Sequence, residues 1–334
     1  MPQRSSPAVL LAALLFAGSP AYAADYAVEG RIDAPGDGGW DYATIDPAAK
    51  RVYVTRGETV VDVDIAKGTA SAPFAGIARG HAAVPVPGRH LLAVTSGHDD
   101  SVRLFDTETG TELAKIPVGS DPDAAFYAPG PARVVVVNAK GGTVSLLDPV
   151  ARTITGTITL KPGLEAAAND GDTLLVNNED LNELETANLL TGRAGPTVAL
   201  TGCQGPTGLA FDPDTEQAIS ACANRKAAIV DVRHLRLVAL LDIGAGPDTV
   251  LVDSSRRMAL IPCGRDGTLT MIALGEGPHV VGEVRTEMGA RTGALDPATG
   301  KIYLPTAELA PPAAPGGRPQ PKAGTFHILV LAPR

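Results

Sequence analysis

The chain has 334 residues, a formal net charge of −9 and a pI of about 5.2, and 4% of its residues are aromatic. DNA and anionic membranes are polyanions that attract basic surfaces, and few aromatic side chains leave few platforms for stacking on bases. The composition therefore argues against a nucleic-acid partner, while the 37 Gly and 28 Pro residues fit many short strands joined by tight turns.

The first 23 residues are predicted to be a signal peptide. Arg4 lies in a short basic region, the apolar run AVLLAALLFAG follows, and Ala21-Tyr22-Ala23 fits the small-x-small cleavage rule. The apolar run is too short to span a bilayer. We therefore expect cleavage after Ala23 and a periplasmic or secreted protein without a transmembrane segment.

One register runs through the rest of the chain. Seven polar residues recur at spacings of 40, 42, 42, 42, 41 and 44 residues: Asp41, His81, Asp123, Glu165, Thr207, Asp248 and Thr292. A second series at spacings of 42, 42, 40, 43 and 42 mostly closes hydrophobic runs: Asp64, Asp106, Asp148, Asn188, Asp231 and Ala273. A period near 42 in strand-rich segments is typical of four-stranded propeller blades.

The predicted fold is an all-β, seven-bladed β-propeller that forms a single domain over residues 24–334. Its units are predicted to begin near residues 38, 78, 119, 161, 202, 244 and 289. The seventh unit lacks an outer strand, and we expect the N-terminal strand 26–33 to supply it, which closes the ring and removes an exposed edge. One insertion, the Pro-rich segment 310–323, departs from the period and predicts an extended loop.

Particular segments resemble a known family. Arg51–Thr55 contains the YVT core of the YVTN repeat, and GWDYATIDPAAKRVYVTRG with the later PTGLAFDP and ISACANRKAAIVD resembles the secreted bacterial YncE-like branch of that family. The resemblance covers residues 25–334 and implies a seven-bladed propeller outside the cytoplasm. The family has no agreed catalytic motif. Glu165 also departs from the Pro-Asp pairs at Pro122-Asp123 and Pro247-Asp248.

The first polar series is predicted to surround the mouth of the central tunnel. The candidate ligand-binding residues are Asp41, His81, Asp123, Glu165, Asp248 and Arg291. Clustered carboxyl groups raise one another's pKa unless a cation compensates them. We expect a monomer that binds a small molecule or an envelope protein here without catalysis. The plainer alternative is that these residues cap backbone N–H groups and join neighbouring blades.

Two other functions fit the same residues. Oxygen ligands from Glu165, Asp123, Asp248, Asn138 and Asn177 would suit Ca²⁺ or another divalent cation, as in propeller lactonases. Such an ion would support ester or lactone hydrolysis, with His81 and Glu165 as the candidate catalytic residues. The third hypothesis is a structural cell-envelope protein, which a plugged mouth and a flat apolar patch on a blade edge would favour.

The three cysteines divide into a predicted pair and one remaining thiol. Cys203 and Cys222 should lie near the same face, and an oxidising compartment favours a disulfide between them. A loop of this length stabilises the fold by roughly 3 kcal/mol in the chain-entropy treatment. Cys263 occupies the position of Cys222 one blade later and is expected to be a buried free thiol.

Overall fold

The computed structural model describes residues 26–312 and 319–334, which form seven four-stranded antiparallel sheets. The predicted signal peptide and the centre of the Pro-rich loop, residues 313–318, lie outside the described residues. Within the described ranges, no helix is long and apolar enough to cross a membrane.

The strands follow the repeat closely. After β1 (Tyr26–Asp33), blade one contains β2–β5: Ala43–Asp46, Arg51–Arg56, Thr59–Asp64 and Thr69–Ala75. Blade two contains β6–β9: Gly80–Pro85, Leu91–Ser96, Ser101–Asp106 and Glu112–Pro117. Blade three contains β10–β13: Pro122–Ala128, Arg133–Asn138, Thr143–Asp148 and Thr153–Thr159. Blade four contains β14–β17: Leu164–Asp170, Thr173–Asn178, Glu183–Asn188 and Val198–Ala199.

The last three blades complete the ring. Blade five contains β18–β21: Pro206–Asp212, Gln217–Cys222, Lys226–Asp231 and Arg236–Asp242. Blade six contains β22–β25: Leu251–Asp253, Met258–Cys263, Thr268–Ala273 and His279–Arg285. Blade seven contains β26 and β27 (Ala294–Leu295 and Ile302–Thr306), a small hairpin of β28 and β29 (Leu309–Ala310 and Gln320–Pro321), and β30 (His327–Pro333). Two 3₁₀ turns lie at Gly97–Asp99 and Ser254–Arg256.

Residue patterning explains the radial order of the strands. The middle strands are covered on both faces by neighbouring blades, so β11 reads as a continuous apolar run, RVVVVN, with five buried residues. The outer strand β13, TITGTIT, alternates between exposed and covered residues because one face meets solvent.

The second polar series forms the turns between third and fourth strands. Asp106 Oδ1 accepts the backbone N–H groups of Glu108 and Thr109 at 2.9 and 2.8 Å. Asp64, Asp148 and Asn188 bind the residues two and three positions later in the same way. These side chains satisfy backbone donors in the turn, which explains why the position recurs.

The ring closes as the sequence predicts. β1 pairs antiparallel with β30, from Tyr26 opposite Pro333 to Asp33 opposite His327. Tyr26 is buried, and its hydroxyl donates to the Gly300 carbonyl at 3.0 Å and lies 3.4 Å from Asp253 Oδ2 in blade six. The N-terminal strand therefore completes blade seven and contacts the preceding blade.

The cysteine prediction is also confirmed. Cys203, just before β18, and Cys222, at the end of β19, form a disulfide with their Cα atoms 5.5 Å apart. Cys263 is a buried free thiol, and burial raises its pKa to about 11. A buried thiol with a raised pKa is a weak nucleophile, which agrees with a packing role.

Candidate ligand-binding site

All six side chains predicted to bind a ligand line one cavity of about 610 Å³, here called the mouth cavity. Its defining residues are Asp41, His81, Asp123, Glu165, Asp248 and Arg291. Further charged residues in the lining are Arg79, Asp121, Lys140, Glu179 and Asp180. The repeat register therefore brings the predicted residues together from blades one, two, three, four, six and seven.

Three of these side chains lie at irregular points of their inner strands. The pairing with the second strand shifts register between Gly80 and Ala83, and the equivalent shifts in blades three and four bracket Asp123 and Glu165. A bulge of this kind turns a side chain away from the ordinary alternation of a strand. It directs His81, Asp123 and Glu165 towards the mouth cavity.

Threonines fix the backbone of the site across blade boundaries. Thr55 of blade one donates to the His81 carbonyl at 2.6 Å, and Thr95 of blade two donates to the Asp123 carbonyl at 3.0 Å. Thr292 of blade seven donates to the Asp41 carbonyl at 2.8 Å. Backbone carbonyls thus join the blades, and the side chains of the same residues face the cavity.

Asp41, His81 and Asp123 form a compact group, here called the histidine cluster. His81 Nδ1 lies 2.7 Å from Asp41 Oδ2 and 3.1 Å from Asp123 Oδ1, and the three potential ligand atoms all lie within 4.8 Å of one another. His81 is 7% exposed, and its Nε2 is buried without a hydrogen-bond partner among the described residues.

The electrostatics of the histidine cluster follow from burial and mutual attraction. Burial opposes charge on the His81 ring, but the hydrogen bond to Asp41 and the charge of Asp123 outweigh it, so its pKa is raised. Burial raises the pKa of Asp123 to about 7, with Asp41 and Asp248 adding to the effect and His81 opposing it. Asp123 therefore takes up a proton more readily than a free carboxyl group, and His81 keeps its proton more readily than a free imidazole.

A second part of the lining, here called the glutamate side, comes from blade four and contains Glu165, Glu179 and Asp180. Burial raises the pKa of Glu165 to about 10, and the charges of Asp123 and Asp248 act in the same direction. The Tyr42 hydroxyl donates to Glu165 Oε1 at 3.4 Å. Burial and the neighbouring Asp180 raise the pKa of Glu179. Glu165 and Glu179 therefore favour the neutral carboxyl form unless a cation approaches.

The permanent cations of the lining are already engaged. Arg291 donates from Nε to Asp248 Oδ2 at 2.7 Å and from Nη2 to the Trp40 carbonyl at 2.9 Å. Arg79 and Lys140 both approach Asp121, at 3.7 and 3.0 Å. Seven carboxyl groups line the cavity beside these three cations, and the glutamate side receives none of the three ion pairs.

Asn138 and Asn177 do not join this lining. The Asn138 amide donates to Thr143 Oγ1 and Ser145 Oγ on the adjacent strand, both at 3.0 Å. Asn177 donates to the Gly208 carbonyl of blade five at 3.0 Å and accepts a bond from Ser220 at 2.7 Å. Of the five predicted metal ligands, the structure brings only Asp123, Glu165 and Asp248 to the mouth cavity.

Tyr42, Arg79, Asp121 and Lys140 belong to the site but were missed by the sequence analysis. Arg79 and Asp121 each lie two positions before a residue of the first polar series, and Tyr42 directly follows Asp41. The same repeat register, extended to these neighbouring positions, could have identified three of the four. Lys140 lies in a turn between second and third strands, where no equivalent series marks it.

A larger groove of about 1320 Å³ lies at the outer strands of blades five and six. Its charges are compensated locally: Asp231 lies 2.8 Å from His234 and 3.4 Å from Arg236, and Asp253 lies 2.6 Å from Arg256. The mouth cavity, in contrast, collects equivalent positions from six blades and keeps an excess of carboxyl groups. We therefore place the candidate site at the mouth.

No protein-family model and no curated protein matches the chain. Among solved structures, the chain is similar to Kuenenia stuttgartiensis hydrazine synthase, with 15% identity, a TM-score of 0.70, and coverage of 83% of this chain and 95% of that one. It is also similar to a chain in a crystal structure of the mitotic checkpoint complex, with 15% identity, a TM-score of 0.74 and coverage of 98% of both chains. At this identity the likeness establishes the β-propeller fold alone.

Proposed function

We propose that this protein is an exported, YncE-like propeller of the YVTN family that binds a small, positively charged molecule in the mouth cavity without catalysing a reaction. The observation that carries the proposal is the excess of carboxyl groups over permanent cations in a cavity lined by residues of all seven blades. The predicted signal peptide and the Cys203–Cys222 disulfide support export, because disulfides persist in oxidising compartments.

The size of the cavity favours a small ligand over a large protein segment. Pockets for small molecules enclose roughly 300–1,000 Å³, and the mouth cavity lies within that range. A ligand with one or more amine or guanidinium groups would complement Glu165, Glu179 and Asp180. A bound cation would favour the ionised forms of Glu165 and Glu179, which burial and neighbouring charges otherwise disfavour.

Calorimetric titration tests the proposal with spermidine, choline and arginine amide as probes, at low ionic strength to limit screening. We expect at least one probe to bind with one-to-one stoichiometry, and the double variant Glu165→Gln/Glu179→Gln to weaken it at least tenfold. Glu216→Gln, in the larger groove at the outer strands of blades five and six, is the matched control. Failure of all three probes, or equal binding by the mouth variant, would overturn the proposal.

Metal-assisted hydrolysis is the second candidate, favoured by the close approach of His81 to Asp41 and Asp123. Glu165 lines the same cavity and favours its protonated form, so it could donate a proton to a leaving group. Turnover of 4-nitrophenyl acetate and a γ-lactone, with Zn²⁺ or Ca²⁺ added, tests this function. Hydrolysis that disappears in Asp123→Asn would support the hydrolase function. If neither ion gives turnover, the hydrolase function is rejected and ligand binding is the remaining function.

A further inference from the structure

We propose that the histidine cluster is a binding site for a first-row divalent metal ion of the Zn²⁺ class. His81 Nδ1 and one oxygen each from Asp41 and Asp123 would be its protein ligands. This inference rests on the proposed cation-binding function of the mouth cavity and assigns the metal ion to the histidine cluster within it. It differs from the oxygen-only set predicted from the sequence, which included Asn138 and Asn177.

The distances within the cluster suit such an ion. Zn²⁺ lies about 2.0–2.2 Å from nitrogen and oxygen ligands, so neighbouring ligand atoms in a tetrahedral site are separated by about 3.4 Å. His81 Nδ1 already lies 2.7 Å from Asp41 Oδ2 and 3.1 Å from Asp123 Oδ1. Side-chain shifts of less than about 1 Å would open the cluster to a metal ion.

Hydrogen bonds from the His81 ring do not by themselves explain why both Asp41 and Asp123 lie against it. Two carboxylates converge on one ring nitrogen, which has a single proton to offer them. The other ring nitrogen, Nε2, is buried and has no partner among the described residues, so it offers neither carboxyl group a second hydrogen bond. A divalent ion at the Nδ1 edge would match the charge of both carboxylates.

The three ligands come from different blades and are held in place independently. Thr292, Thr55 and Thr95 fix the backbones of Asp41, His81 and Asp123 respectively. Gly97 packs against the far side of the ring, where an added Cβ would lie 2.9 Å from His81 Nε2. Ligands with fixed backbones lose little conformational freedom when a metal binds, which favours affinity.

The ligand set also selects among metals. Ca²⁺ takes six to eight oxygen ligands, whereas this cluster offers one imidazole and two carboxylates. Imidazole suits first-row transition metals and Zn²⁺, and the general affinity order places Zn²⁺ above Mn²⁺. We therefore expect affinity to fall from Zn²⁺ to Mn²⁺ to Ca²⁺. The remaining coordination position would face the mouth cavity, available to water or a ligand donor.

The test titrates the metal-stripped, full-length exported protein with ZnCl₂, MnCl₂ and CaCl₂ against a chromogenic chelator. We expect one Zn²⁺ per chain, with at least 100-fold weaker binding in His81→Gln and in Asp123→Asn. His90→Gln is the matched control, because His90 is 70% exposed beside Glu108, in the turn between β6 and β7, and does not line the mouth cavity. Thermal unfolding verifies that each variant is folded.

Cobalt(II) added to the unmodified protein provides a test that needs no variant. A visible spectrum with nitrogen and oxygen ligation in one-to-one stoichiometry would support the site. Absence of stoichiometric metal, Zn²⁺ affinity unchanged in His81→Gln, or tighter binding of Ca²⁺ than of Zn²⁺ would overturn it. The spermidine titration of the unmodified protein is read separately, so failure of the metal site and failure of the mouth-cavity function give different results.

Discussion

The two sides of the mouth cavity use equivalent positions of the repeat but balance their charges differently. In the histidine cluster, Asp41 and Asp123 share a buried imidazole at 2.7 and 3.1 Å. On the glutamate side, Glu165 has only the Tyr42 hydroxyl at 3.4 Å, and burial raises its pKa to about 10. The residue type at one repeat position, histidine in blade two or glutamate in blade four, thus decides whether that part of the cavity favours a charged or a neutral group.

The comparison shows how a repeat protein diversifies a site without changing its fold. Blades two and four present His81 and Glu165 from the same kind of bulge. The backbone fixes where the side chain points, and the side chain decides which chemistry the corner offers. Four predictions test this division, in decreasing order of expected effect.

Glu165→Gln should stabilise the protein at pH 8. The folded-state pKa of about 10 lies above the unfolded value near 4.3, so the contribution of Glu165 to stability is full below pH 4 and is lost as pH rises towards 10. Glutamine avoids this loss, worth on the order of 5 kcal/mol at pH 8. Urea unfolding at pH 4 and pH 8 measures the change in the free energy of unfolding. An equal change at both pH values would contradict the prediction.

Arg291→Met should destabilise the protein by roughly 2 kcal/mol, because it leaves Asp248 facing other carboxyl groups without its cation. The partial exposure of Arg291 keeps the effect below that of a fully buried pair. Thermal unfolding provides the measurement. The double variant Arg291→Met/Asp248→Asn should recover part of the loss, and no recovery would show that the contact with Trp40 dominates.

Gly97→Ala should perturb the histidine cluster and the neighbouring Asp121, at a cost of roughly 1–2 kcal/mol. The added methyl group would lie 2.9 Å from His81 Nε2 and 3.0 Å from Asp121 Oδ1. The control is Gly30→Ala, where nothing lies within 4 Å of the added atom. Chemical denaturation compares the two variants, and equal stability would mean that the ring shifts freely.

Tyr42→Phe should have the smallest effect, a loss of about 0.5–1 kcal/mol, because the bond to Glu165 is long. Urea unfolding at pH 7 measures the change. A loss similar to that of Arg291→Met would show that the hydroxyl is a principal support of the glutamate side.

The sequence predicted the fold, and it predicted which residues line the mouth cavity, because both depend on register. Equivalent positions in a closed ring meet at one mouth, so Asp41, His81, Asp123, Glu165 and Asp248 could be grouped from spacing alone. The pairing of His81 with its two carboxylates could not be predicted, since it depends on the bulges and on the rotation between blades. Asn138 and Asn177 were grouped with the metal ligands, but hydrogen bonds to neighbouring strands hold their amides elsewhere.

The threonine bonds between blades have a mechanical consequence. Asp41, His81 and Asp123 belong to three separate sheets, and each keeps its position only while the adjacent sheet is docked. A ligand that binds Asp41, His81 and Asp123 together would link three blades. It would therefore oppose the separation of these blades during unfolding. Ligand binding at the mouth would raise the unfolding temperature of the whole ring, including the β1–β30 pairing that closes blade seven.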